Sequence, residues 1–99
     1  MDTALAELVK KSVFEYAGGG VNHKTFAMVN EEKQAYAVLI VDTPIHQQEA
    51  GIVVMARLVG DYVIVEEDTT GDPFFHVLLK RGIPREKIIL AYRGEALPA

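Results

Sequence analysis

The chain has 99 residues, 49% of them hydrophobic, and carries 14 acidic against 10 basic side chains for a formal charge of −4. That length predicts one domain spanning residues 1–99 with one modest core, and that apolar content argues against intrinsic disorder. The acidic balance lacks the basic footprint of a DNA-binding surface, and the absence of cysteine removes disulfides, thiol nucleophiles and thiolate metal sites.

The first element is a helix over about Thr3–Ala17. Leu5, Leu8, Val9, Ser12, Val13 and Tyr16 recur at helical spacing, with Glu7, Lys10, Lys11 and Glu15 mostly between them. Asp2 or Thr3 is placed to cap its free amides, and Gly18-Gly19-Gly20 stops it. These glycines follow a helix, whereas a phosphate-binding loop follows a strand and opens a helix, so they read as a stop or linker. The acids Asp2 and Glu7 replace the basic start of a secretory leader. No apolar run approaches the roughly 20 residues of a membrane span. The expected location is the cytoplasm, with no membrane contact.

Next comes an antiparallel hairpin. A short strand, Thr25–Val29, and a longer one, Gln34–Val41, flank the polar turn Asn30–Lys33. The second strand is continuously apolar at Val38-Leu39-Ile40-Val41, which suggests that both its faces are partly covered. Asp42-Thr43-Pro44 breaks it. A third strand is expected over Gly51–Leu58. After Gly60-Asp61 a fourth covers Tyr62–Glu66, with Tyr62 and Ile64 on one face and Val63 and Val65 on the other.

The clearest junction follows. Asp72 is set to cap a helix that opens with Pro73, where a missing amide costs nothing. Phe74, Val77 and Leu78 form an apolar stripe widened by Phe75 and Leu79. Lys80 and Arg81 complement the negative helix end, and Gly82 ends the helix. Ile83–Lys87 is a loop or single turn, and Ile88–Tyr92 is a last strand. The order is helix, hairpin, two strands, helix, strand. This is an α+β fold: a mostly antiparallel sheet of four or five strands, with helices on one face.

No residue constellation matches a catalytic motif of known mechanism, and no catalytic, cofactor-binding or metal-ligating residue is assigned. His23, His46 and His76 lie in separate elements, with no His-Glu-x-x-His spacing. Glu66-Glu67-Asp68 is the densest acidic cluster. It reads first as a solvated strand end and helix cap that discourages edge pairing. Glu66 and Asp68 share a face if the strand persists, and such a pair can hold Mg²⁺ or divide acid and base work only inside a common pocket. A small metal-dependent hydrolase would therefore need Asp42, Glu66, Asp68 or a histidine to converge. Ser12 has no glycine elbow and no obvious base, so it reads as a residue beside the core. The four tyrosines fit core rims or an interface equally well. Arg81, Arg85, Lys87 and Arg93 make the tail basic, offset by Glu86 and Glu95. A salt-bridged surface is the favoured reading there, ahead of a protein or nucleic-acid contact.

Two stretches, Asp61–Thr70 (DYVIVEEDTT) and Phe75–Tyr92 (FHVLLKRGIPREKIILAY), resemble the XisI-like family, that is, the fdxN element excision controlling factor XisI and its relatives. The segment Gly82–Tyr92 carries the strongest likeness. The resemblance implies a small α+β fold and a non-enzymatic partner or regulatory role, with an XisH-like companion in site-specific DNA excision. The family supplies no catalytic residues to carry over and no cofactor. A homo-oligomer is a further possible assembly, and direct nucleic-acid binding is the weaker alternative.

Overall fold

The computed structural model describes residues 3–18, 23–42, 50–70 and 73–98. Five strands form one sheet in sequential order: β1 (His23–Asn30), β2 (Ala35–Asp42), β3 (Gly51–Val59), β4 (Tyr62–Asp68) and β5 (Ile88–Leu90). The first four make an antiparallel meander, and β5 lies parallel to β4. The crossover between β4 and β5 runs through α2 (Phe74–Lys80), so the last strand returns beside its predecessor rather than across the sheet. The expected α+β architecture is therefore the observed one.

Helix α1 (Thr3–Phe14) and α2 pack on the same sheet face. Between them and the sheet lie Val9, Val13, Tyr36, Val38, Val54, Val63, Val65, Phe74, Leu78, Ile88 and Leu90, all almost fully buried. Tyr16 meets Phe74 edge-on, ring centroids 5.8 Å apart. Val63 and Val65 point into this core, and Ile64 is buried on the opposite face, as the alternation requires. The 3-10 turn Ala91–Arg93 folds back against β4.

Element ends differ from expectation for identifiable reasons. The α1 helix ends at Phe14, before the glycines, as its hydrogen bonds tighten to Tyr16 N–H→Val13 O and Ala17 N–H→Phe14 O. Gly18 then exchanges two hydrogen bonds with the Thr25 hydroxyl, 2.6 and 2.7 Å, pinning the helix exit to β1. Gly19, Gly20, Asp2, Gly71, Asp72 and residues 43–49, with His46, lie outside the described residues. The α2 helix starts at Phe74 with Pro73 in the capping position, one residue later than expected. At its other end Gly82 takes φ +95°, and Ile83 N–H→Leu78 O and Gly82 N–H→Leu79 O, both 3.1 Å, close the helix. This is the paired pattern of a Schellman motif, with Ile83 and Leu78 both in the core. Leu79 does not widen the buried stripe; it is exposed.

The last strand stops at Leu90 rather than Tyr92. The Leu90 N–H donates to the Glu95 carboxylate, 2.8 Å, and Glu95 N–H returns a bond to Leu90 O. Gly94, at φ +92°, allows the chain to curl that tightly.

Candidate interaction surface

Both helices cover the same side of the sheet, which leaves the other side to account for. Its β4 portion is occupied: Ile64 is buried, and Arg57 pairs with Glu66 beside it. Among the described residues, its β1–β3 portion carries no helix. Phe26 and Met28 on β1 lie opposite Leu39 and Ala37 on β2, which lie opposite Ile52 and Met55 on β3. Phe26 is 48% exposed, Met28 52% and Ile52 38%. Two shallow clefts dent this face. One, of about 230 Å³, is lined by Phe26, Met28, Leu39, Val41 and Ile52; the other, of about 260 Å³, by Met28, Ala35, Ala37 and Met55. Contiguous apolar surface of this kind marks protein contact sites more often than chance.

Two bulges shape the sheet beside this face. Val38 pairs with Val54 and Leu39 with Ile52, so Val53 is an extra residue on β3. Ala56 pairs with Val65 and Met55 with Glu67, so Glu66 is extra on β4. A bulge interrupts the two-residue alternation. Without the first, Ile52 and Val54 would share a face; with it, Val54 enters the core and Ile52 stays outside. The carbonyl of Val53, freed from the ladder, accepts from both the N–H and the hydroxyl of Thr69, 2.9 and 3.0 Å.

The second bulge corrects the expected pairing of Glu66 with Asp68. The strand persists through Asp68, yet the extra residue places the two carboxylates on opposite faces. Glu66 lies on the helix-free side, bound to the Arg57 guanidinium. Asp68 lies opposite the core residue Val54 and turns toward α2. One of its oxygens accepts from the N–H and hydroxyl of Thr70, and the other from Phe74 N–H at 2.7 Å. Asp68 is thus a helix cap, supplied from β4 to an α2 amide that Pro73 has no side chain to satisfy. Glu67 Oε1 accepts from the Asp68 N–H. Asp42 ends β2 four residues beyond Val38, the residue in the same row as Asp68, which sets the backbones of Asp42 and Asp68 more than about 13 Å apart. Among the described residues, no three histidine or acidic side chains gather at metal-binding distance. His76 is exposed on α2 against the Phe75 ring.

The basic tail is bound to its own protein. Arg85 donates to Ile88 O at 2.6 Å and to Glu95 at 2.9 Å; Lys87 meets Asp61 at 3.0 Å. Arg85 and Arg93 both stack over Phe75, at 5.7 and 5.5 Å from its centroid, and the Lys87 ammonium lies 4.6 Å above Tyr62. Arg81 clamps the two helices by donating to the Ser12 hydroxyl and to Glu15, each at 2.6 Å. Ser12 is fully buried and its hydroxyl donates to Leu8 O, as expected of a residue beside the core. The Leu90 N–H, and then Arg85, hold the Glu95 carboxyl below its usual range, and Lys87 does the same for Asp61. Glu31 raises the Lys10 ammonium, and burial raises the Tyr36 phenol. These are the shifts of structural ion pairs and a core tyrosine.

Phe26 and Met28 did not stand out in the sequence as functional residues. A signal was present in β2, whose apolar run on both faces demands two covered sides. The two helices supply one.

The fold has solved counterparts. A XisI-like protein from Anabaena variabilis ATCC 29413 superimposes with a TM-score of 0.78 at 20% identity, over 89% of this chain and 84% of that one. The fdxN element excision controlling factor XisI from the same organism gives 0.59 at 19% identity, over 91% and 83%. No curated protein sequence matches. The model of the XisI protein family matches residues 2–97, nearly the whole chain, and the protein belongs to that family.

Proposed function

We propose that this protein is a non-enzymatic partner subunit in excision control, working with an XisH-like companion that docks on the helix-free face of β2 and β3. The observation that carries the reading is the bare apolar sheet face with Leu39, Ile52 and Met55. Family membership and the name of the similar fdxN element factor support the process. The acidic residues support a docking role over a hydrolytic one, because Glu66 is held by Arg57 and Asp68 by the start of α2. The basic residues likewise favour a protein partner over DNA, since Arg81, Arg85 and Lys87 already face carboxylates.

Co-purification of the tagged protein with an XisH-like companion tests this. A stoichiometric complex is expected, and Ile52→Glu should weaken it at least tenfold, by placing a charge in the apolar contact. Failure of the wild-type protein to retain the companion would sink the reading.

A further inference from the structure

The two edges of the sheet are built differently. The β5 edge is three residues long and flanked by Arg85, Lys87, Arg93 and Glu95. Beyond it, β4 continues into Glu66-Glu67-Asp68. Short length and flanking charge are the usual means of preventing strand addition. The β1 edge is longer, and its charges, Lys24 and the turn Glu31-Glu32-Lys33, sit only at its ends. It is eight residues long, pairs among the described residues with β2 alone, and from Thr25 to Val29 carries no charge and no proline. Phe26, Met28 and Val29 are about half exposed there.

We propose that β1 is a self-association edge, on which a second copy of this chain pairs antiparallel to form a continuous ten-stranded sheet. The occupant follows from the strand's own sequence. Two copies related by a twofold axis perpendicular to the sheet keep their faces aligned, so each opposed pair must share a face. Centring the axis on Ala27 sets Phe26 opposite Met28, Thr25 opposite Val29, and Lys24 opposite Asn30. An axis on Met28 opposes Phe26 to Asn30, and one on Phe26 opposes Met28 to Lys24; both leave an apolar side chain against a polar one. The Ala27 register alone pairs apolar with apolar on the helix-free face, and aromatic–thioether contact adds to it. It also brings Lys24 beside the copy's acidic turn, Glu31-Glu32, so opposite charges meet at both ends. The pairing uses β1 and leaves Ile52 and Met55 on β3 open, so it is independent of companion docking.

Light scattering on the full chain, combined with a charge-pair design, tests this. The wild-type protein should have twice the mass of one chain. In F26K/M28K, lysines oppose lysines across the axis, and the mass should halve. In F26K/M28E, each lysine opposes a glutamate of the other copy, and the dimer should return. Far-UV circular dichroism checks that all three are folded. Independently of any variant, hydrogen exchange at the amides of Phe26–Val29 in the wild-type protein should slow as concentration rises. A monomeric wild-type protein with concentration-independent exchange would overturn the proposal. So would a dimer that survives F26K/M28K, or folded F26K/M28E that stays monomeric.

Discussion

Removing the Asp68 carboxylate isolates the structural role of the acidic cluster. Asp68 accepts three hydrogen bonds, two from Thr70 and one from Phe74 N–H at the start of α2. Loss of a helix cap costs about 0.5–2 kcal/mol, and hydrogen bonds to a charged acceptor are worth about 1.5–3 kcal/mol each. The side chain is partly exposed, so water replaces some of what is lost, and Asp68→Ala should cost about 2 kcal/mol. In a chain of this size that corresponds to a fall in melting temperature of about 10 °C. Asp68→Asn keeps one accepting oxygen and should lose about half as much. Glu66→Ala, on the other face, breaks a partly exposed ion pair and should lose less than about 1 kcal/mol. Thermal and urea denaturation measure all three. If Asp68→Ala shifts stability by less than 0.5 kcal/mol, or if Glu66→Ala costs more, the assignment of Asp68 as cap and Glu66 as surface partner is wrong.

Gly82→Ala should destabilise by about 1–2 kcal/mol through backbone strain alone, because φ is +95° there while a Cβ would meet nothing within 4 Å; an unchanged urea midpoint would refute the Schellman assignment. Leu78→Ala, at a fully buried position joining α2 to the sheet, should cost about 3 kcal/mol, read from the same denaturation curves. Glu95 and Asp61 have carboxyls lowered by Leu90 N–H with Arg85 and by Lys87, respectively. Their contribution is therefore fully present above the ordinary carboxylate range, about pH 4, and is lost as pH falls through the lowered values. Stability measured from pH 6 down to pH 2 should fall less steeply in Glu95→Gln than in the wild-type protein.

Much of the fold was legible because local signals agreed. Periodicity marked α1, alternation marked β4, and Gly82 marked the end of α2 at a position that only a residue tolerant of positive φ fills easily. The strand ends were not legible, because they depend on bonds that no local pattern marks: β5 ends at Leu90, whose N–H turns to the Glu95 side chain five residues on. The bulges at Val53 and Glu66 were hidden for the same reason, since one extra residue in a ladder leaves no mark in composition. That single residue decides whether Glu66 and Asp68 form a pair, and the two-residue period alone gave the wrong answer. The interaction surface was half visible. Continuous apolar character in β2 announced two covered faces, but only the placement of α1 and α2 on one side shows that no helix among the described residues covers the other.

The docking claim is tested most directly by hydroxyl-radical footprinting of the protein, free and mixed with its XisH-like companion, read by mass spectrometry. Ile52 and Met55 on the helix-free face should lose reactivity in the mixture, while Leu79, exposed on α2 on the other side of the sheet, should keep its own. Unchanged oxidation of Ile52 and Met55 in a mixture shown to contain the complex would contradict the account.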